Sequence, residues 1–120
     1  MRNMSFALTA EQVLSRKKTV TRRIGWVFLK PGDLLQPIVK GQGIPKGGTV
    51  EKIGGPIQVV SVSRGPLNAI TPQDVHREGF PRMTAGEFVR MFKRTHRGCR
   101  VGTIVTRIEF SYGEASDDPA

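Results

Sequence analysis

The sequence predicts an α+β fold, a small, partly closed β-barrel of mixed, mostly antiparallel short strands with about three short helices packed at its ends. Three observations point there. Fourteen glycines and eight prolines in 120 residues cut the chain into short pieces, which suits strands and turns better than a helical bundle. Short apolar runs rich in β-branched residues alternate with three segments that carry helix-start signals. A hydrophobic share of 38% is enough for one core at this length, and the single cysteine, Cys99, allows no intramolecular disulfide to staple it.

Each element has a local reason. Residues 4–8 read as a short opening strand. Thr9-Ala10-Glu11-Gln12 has the pattern of a capping box, so a helix is expected over residues 10–16 or 17, burying Val13 and Leu14. Residues 19–23 favour a strand because Thr and Val are β-branched. Lys18 then sits at a helix-to-strand junction, where it can converge with Thr21; within one strand, residues three apart face opposite ways. Lys30-Pro31-Gly32-Asp33 is a turn, with Pro fixing φ and Gly supplying positive φ. Residues 34–39 follow as a strand, and Pro37 argues for an edge or a bulge. Residues 40–56 read as a long basic loop or hairpin, and 57–63 as a more buried strand.

Thr71-Pro72-Gln73-Asp74 starts a second helix, with Thr as N-cap, Pro at the first helical position and Asp in the first turn. It is expected to end near Glu78-Gly79-Phe80-Pro81. Thr84-Ala85-Gly86-Glu87 is another capping box and opens the best helix, over about residues 85–96. Phe88, Met91, Phe92 and Thr95 lie on one face, and Arg90, Lys93, Arg94 and Arg97 largely on the other. Gly98 stops it. Residues 103–110 close the fold as a strand, with Ile104, Ile108 and Phe110 inward and Arg107 and Glu109 outward. The domain is expected to span residues 1–112. Residues 113–120, small, polar and acidic, are expected to be a disordered tail.

Charge narrows the partner class. The chain carries +9, with a sequence pI near 10.6, and all 19 Lys and Arg lie before residue 111. A body this basic expects a polyanion, nucleic acid before membrane. RNA is the first partner, DNA remains open, and the oligomeric state is not legible. Cys99, His76 and His96 make no convincing metal-ligand set, so neither metal nor cofactor is expected. His96 and Cys99 flank a helix stop and need not face each other as a nucleophile pair. No apolar run has bilayer length, and residues 1–8 are too short and polar for a signal peptide. The expected location is cytoplasmic.

The densest signal is Arg16-Lys17-Lys18-Thr19-Val20-Thr21-Arg22-Arg23, in which five of eight residues are cationic. Between two ordered elements, such a run can hold cations and hydroxyls in fixed geometry. Arg16, Lys17, Arg22, Arg23, Lys40, Lys46 and Lys52 could supply phosphate contacts. Trp26 could stack on a base, although its apolar neighbours Val27, Phe28 and Leu29 equally suit core packing.

This octapeptide, with Leu29-Lys30-Pro31-Gly32-Asp33, Ile70-Thr71 through Glu78-Gly79-Phe80 and Val105-Thr106-Arg107-Ile108-Glu109-Phe110, resembles the ASCH (ASC-1 homology) domain family, which has a PUA-like β-barrel. Lys18, Thr21 and Arg23 fall on the Lys, Thr and Arg of the family's Gly-x-Lys-x-x-(Glu or Thr)-x-Arg signature, and Arg16 stands where the family has Gly. The resemblance implies a cleft at the barrel mouth that binds RNA or a modified nucleobase. Some family members are metal-independent amidohydrolases that deacylate N4-acetylcytidine through Lys, Thr and Glu, and at least one is a ribonuclease. Carried over by position, the catalytic residues would be Lys18, Thr21 and Glu78. Thr21 would be the nucleophile, Lys18 its base and Glu78 a proton donor or substrate anchor, with Arg23 stabilising an oxyanion or phosphate. The same residue types would equally cradle a base without chemistry. Taken singly, Lys18 also suits a cation at a helix C-terminus, Thr21 an ordinary strand residue, and Glu78 a surface partner of Arg77 or Arg82.

Overall fold

The computed structural model describes residues 1–40, 48 and 50–113. The strands are β1 (Arg2–Ser5), β2 (Val20–Arg23), β3 (Leu34–Ile38), β4 (Ile57–Pro66) and β5 (Ile104–Tyr112). The helices are α1 (Ala10–Leu14), α2 (Pro72–Arg77) and α3 (Ala85–Thr95), with one 3₁₀ turn at Leu67–Ala69. The strands form a single sheet in the order β1-β3-β4-β5-β2. Only β1 and β3 run parallel; the other pairs are antiparallel.

The sheet is an α+β sheet that curls without closing. β1 and β2 are its two edges, yet the Arg23 guanidinium at the end of β2 lies 4.7 Å from the ring centroid of Phe6, just past β1. The expected barrel is therefore a curled sheet with one seam. Curling is helped by a bulge in β4, where the register with β5 shifts between Val59 and Ser61, since a bulge adds local twist. Two apolar clusters follow. Met4, Phe6, Val13, Leu35, Ile57, Ile108 and Phe110 fill the inside of the curl. Leu67, Val75, Phe88, Val89, Phe92 and Val105 pack α2 and α3 against the far ends of β4 and β5.

Two helix starts form as their residues dictate. Thr71 Oγ1 accepts from the Asp74 amide, and Thr84 and Glu87 exchange both capping-box bonds. The Thr9 box does not form. Thr9 makes no side-chain cap: its backbone (φ −131°, ψ 30°) is not extended as at Thr71 and Thr84, its amide donates to Phe6 O at 3.0 Å, and the Gln12 side-chain amide donates to Gly79 O at 3.3 Å. α1 is accordingly one short turn, and Leu14, expected to be buried, is 68% exposed. β1 begins earlier than expected, at Arg2. β3 is not an edge strand: it lies between β1 and β4. It tolerates Pro37 because its ladder with β4 uses only Leu34 and Leu35. Ile104, expected to face inward, is half exposed. Of the basic loop, Lys52 bridges to Ile38 and Ile53 joins the core. The expected acidic tail, beyond Gly113, and residues 41–47 and 49, which include Lys46, lie outside the described residues.

Candidate functional site

The site is built from two helix ends of the same design. At the end of α1, Arg16 N donates to Val13 O (3.0 Å) and Lys17 N to Gln12 O (2.9 Å). At the end of α2, Gly79 N donates to His76 O (3.0 Å) and Phe80 N to Val75 O (3.2 Å). Each is a Schellman motif, which needs a left-handed residue at its turn. Arg16 (φ 63°) and Gly79 (φ 100°) supply it. The two ends dock: Thr19 N donates to Arg77 O at 2.9 Å, and a Cβ on Gly79 would come within 2.9 Å of the Gln12 side chain.

Docking delivers Lys18 to Glu78. The Lys18 ammonium donates to the Glu78 carbonyl at 2.7 Å and to its Oε1 at 2.8 Å, and both residues are only 2% exposed. Lys18 thus satisfies the C-terminus of α2, the negative end of a helix 54 residues further along the chain. Burial pushes the Lys18 ammonium below the ordinary lysine range; the Glu78 carboxylate opposes this, and Arg23 and Arg22 add to it.

Arg22 extends the pair into a network. Its NH1 donates to Glu78 Oε2 at 3.1 Å and its NH2 to Asp74 Oδ2 at 2.6 Å. Asp74 also accepts from Arg77 (3.0 Å) and twice from Arg107 (2.6 and 3.1 Å). These guanidiniums, Arg107 foremost, hold the Asp74 carboxyl well below the usual carboxylate range. Asp74 had been legible only as a first-turn acid. Two of its three partners, Arg22 and Arg107, come from other elements 52 and 33 residues away, so no local signal announces the hub; Arg77, at i+3, was the one visible clue. Thr21 is buried in β2, and its Oγ1 accepts from Arg23 Nε at 3.1 Å. Burial lowers the Arg23 pKa to about 10, still charged at neutral pH.

A cavity of about 230 Å³ opens at the seam between the two cores. Lys18, Thr21, Arg22, Arg23 and Glu78 are its polar wall, and Phe80, Phe88, Met91 and Phe92 its apolar wall. His96, also on the rim, stacks flat on Phe92 at 3.7 Å. The three residues carried over as catalytic therefore meet in one place, together with Arg22 and Arg23. Arg16, Lys17, Trp26 and Lys40 do not line this cavity. Arg16 reaches over the Tyr112 ring, and Lys17 and Lys40 are exposed. Trp26 packs on the first core, 5.4 Å from the Phe28 ring. The aromatic residues of this cavity's wall are Phe80, Phe88 and Phe92. The side chains of His96 and Cys99 do not meet: the Cys99 amide donates to His96 O at 3.1 Å, the Cys99 Sγ donates to Arg100 O, and His96 Nδ1 bonds Phe92 O. No cluster of three metal-binding side chains occurs among the described residues.

No protein-family model and no curated protein matches the sequence. Solved structures do. An ASCH domain from Lactobacillus crispatus JV V101 superposes with a TM-score of 0.57 at 15% identity, over 92% of this chain and 77% of that one. The chain has the ASCH fold. An ASCH protein from Zymomonas mobilis matches with a TM-score of 0.58 at 13% identity, over 92% of this chain but 64% of that longer one. A protein from Enterococcus faecalis V583 of family DUF984 matches with a TM-score of 0.62 at 12% identity, over 99% of this chain and 82% of the other. The likeness bears out the resemblance read from the ordered motifs. It also gives the ASCH signature a physical reading. The position where the family has Gly is the left-handed residue that ends α1, which Gly adopts without strain and which this chain fills with Arg16.

Proposed function

We propose that the ASCH cleft binds a single nucleobase, modified or unpaired, presented by RNA or by a nucleoside. One observation carries the reading: Lys18, Thr21, Arg23 and Glu78 converge on one cavity whose opposite wall is aromatic. A flat, polar ring needs that combination, an apolar face to lie on and a few fixed donors and acceptors at its edge. At about 230 Å³ the cavity falls below the ~300–1,000 Å³ of pockets that take drug-sized ligands, so it suits one base. Two polar atoms have capacity in reserve. The Lys18 ammonium has three protons and two protein acceptors, and Thr21, accepting from Arg23, keeps its own proton to donate.

A second reading, a metal-independent amidohydrolase acting on N4-acylated cytidine, is favoured by the depressed Lys18 pKa, which a lysine base requires. Binding leads because no hydrogen bond joins Lys18 to Thr21: each is spent on another partner, Glu78 and Arg23 respectively. Titration of the purified protein with cytidine and N4-acetylcytidine, without added metal, tests both readings. The expected result is saturable binding, weakened about 2–10-fold in Thr21→Val, the worth of one neutral hydrogen bond. Absence of binding to either nucleoside overturns the base-binding reading. Release of cytidine by wild type and Thr21→Ser but not by Thr21→Val would establish the hydrolase.

A further inference from the structure

Behind Arg22 lies a second groove, of about 270 Å³, that the base cavity does not use. It is lined by Arg22, Ser63, Arg64, Thr71, Asp74 and Arg107, among others. Its floor is a row across three neighbouring strands, for Ser63 pairs with Arg107 and Arg107 pairs with Arg22. Two arginines directly opposite one another destabilise a sheet unless an anion joins them. Asp74 is that anion, bonded to both at 2.6 Å.

One carboxylate does not neutralise the row. Arg22, Arg77 and Arg107 share Asp74, and Arg64 adds a fourth cation. Glu78 is divided between Lys18 and Arg22. Glu109, beside Arg107 on β5 and bonded by the Ser61 hydroxyl, adds a third carboxylate against the five cations Lys18, Arg22, Arg64, Arg77 and Arg107. The groove therefore keeps a positive surplus. It also keeps donors in hand. Arg64 is exposed, and its guanidinium makes no ion pair or hydrogen bond among the described residues. Arg107 gives only its Nε and one terminal nitrogen to Asp74. The Thr71 oxygen accepts from Asp74 N and retains its proton, and the Ser63 hydroxyl makes no hydrogen bond among the described residues. Guanidinium forks beside two hydroxyls, in a groove this small, match the tetrahedral oxygens of one phosphoryl group.

We propose that this groove is a phosphate subsite, holding a phosphoryl group of the nucleotide whose base enters the first cavity. The inference rests on the base-binding reading for its register, since Arg22 is the shared wall of both cavities, but the phosphate site itself stands on the groove alone. The ligand recognised is then a nucleotide rather than a nucleoside.

The test is a backbone amide NMR titration of the whole protein with cytidine, cytidine monophosphate (5′ and 3′) and pyrophosphate. One monophosphate should bind about tenfold tighter than cytidine, as a charged hydrogen bond confers. It and pyrophosphate should both shift Ser63, Arg64 and Thr71, while cytidine shifts only Thr21 and Phe80. Arg64→Gln, at an exposed position, should erase the tenfold preference and leave cytidine affinity unchanged. Equal affinity for cytidine and both monophosphates overturns the subsite, as does a preference that survives Arg64→Gln. Pyrophosphate shifts at the groove with no nucleoside binding would keep the subsite and remove the base reading. An oligocytidylate binding more than tenfold tighter than the monophosphate assigns the phosphate to a strand; equal affinity assigns it to a free nucleotide.

Discussion

At the scale of single residues, Asp74 does more to order the site than any residue the motif names. It is buried, and it holds Arg22, Arg77 and Arg107 at once; Arg22 in turn fixes the free oxygen of Glu78. Removing its charge leaves guanidiniums packed together without a counter-ion, which costs about 3–5 kcal/mol for a broken buried pair. The pH dependence has a definite sign. Asp74 is depressed in the native state, so the unfolded chain binds its proton more tightly. Its contribution is complete above the ordinary carboxylate pKa of ~3.9 and is lost as pH falls from there toward the native value. Urea unfolding of wild type from pH 7 to pH 2.5 should show stability falling below about pH 4. Asp74→Asn should be less stable at pH 7, with a flatter acid limb; an unchanged acid limb would take Asp74 out of the linkage. Lys18 acts at the other end. Its native pKa is also lowered, so stability rises as pH climbs from that native value toward 10.5. The octapeptide showed where the cations of the site lie. It could not show the two carboxylates that organise them, because a carboxylate's partners are chosen by the fold.

At the scale of elements, the site depends on two Schellman turns lying against each other, and they are filled in opposite ways. Gly79 has no alternative: its φ is positive and a Cβ would collide with Gln12. Gly79→Ala should cost about 2–4 kcal/mol, from left-handed strain together with overpacking. Because Lys18 bonds the Glu78 backbone next door, nucleoside affinity should fall with it. Arg16 is the reverse case, an L-residue held at φ 63°. Arg16→Gly should raise stability by about 0.5–1 kcal/mol in chemical denaturation. A loss instead would mean that the contact of Arg16 with the Tyr112 ring outweighs its strain. The helix starts at Thr71 and Thr84 were legible because a cap is a bond between residues three apart. The start after Thr9 was equally legible, for α1 begins at Ala10; its capping box was not, because the Thr9 amide is taken by Phe6 O, on the chain before the helix. Strand existence was legible from β-branched runs. Strand order, with β1 beside β3 and β2 beside β5, was not, since periodicity shows which face is buried and carries no information on which neighbour.

At the scale of the whole molecule, the positive charge divides into two populations that the sequence shows as one. Arg22 is consumed by Asp74 and Glu78; it shapes the molecule and has little left to offer a polyanion, while Arg107 keeps one terminal nitrogen beyond its bonds to Asp74. Lys17, Lys40 and Arg64 are exposed, as is the outer face of α3 with Arg90, Lys93 and Arg94, where Phe88, Val89 and Phe92 take the buried side. Only the exposed population can release counterions from a nucleic acid. For single strands each phosphate contact contributes about 0.7 to the slope of log K against log salt. Binding of a short single-stranded RNA, followed from 50 to 300 mM salt, therefore separates the two. Replacing Lys17 or Arg64 by Gln should each lower the slope by up to about 0.7 if that residue meets a phosphate, with the fold intact. Replacing Arg22 by Gln should leave the slope nearly unchanged and show its cost in the denaturation midpoint, because it strands Asp74 and Glu78 without a shared donor. If Arg22→Gln instead lowered the slope while stability held, the guanidinium would be exchanging its carboxylates for phosphate on binding. The network around Asp74 would then be part of the RNA contact as well as its scaffold.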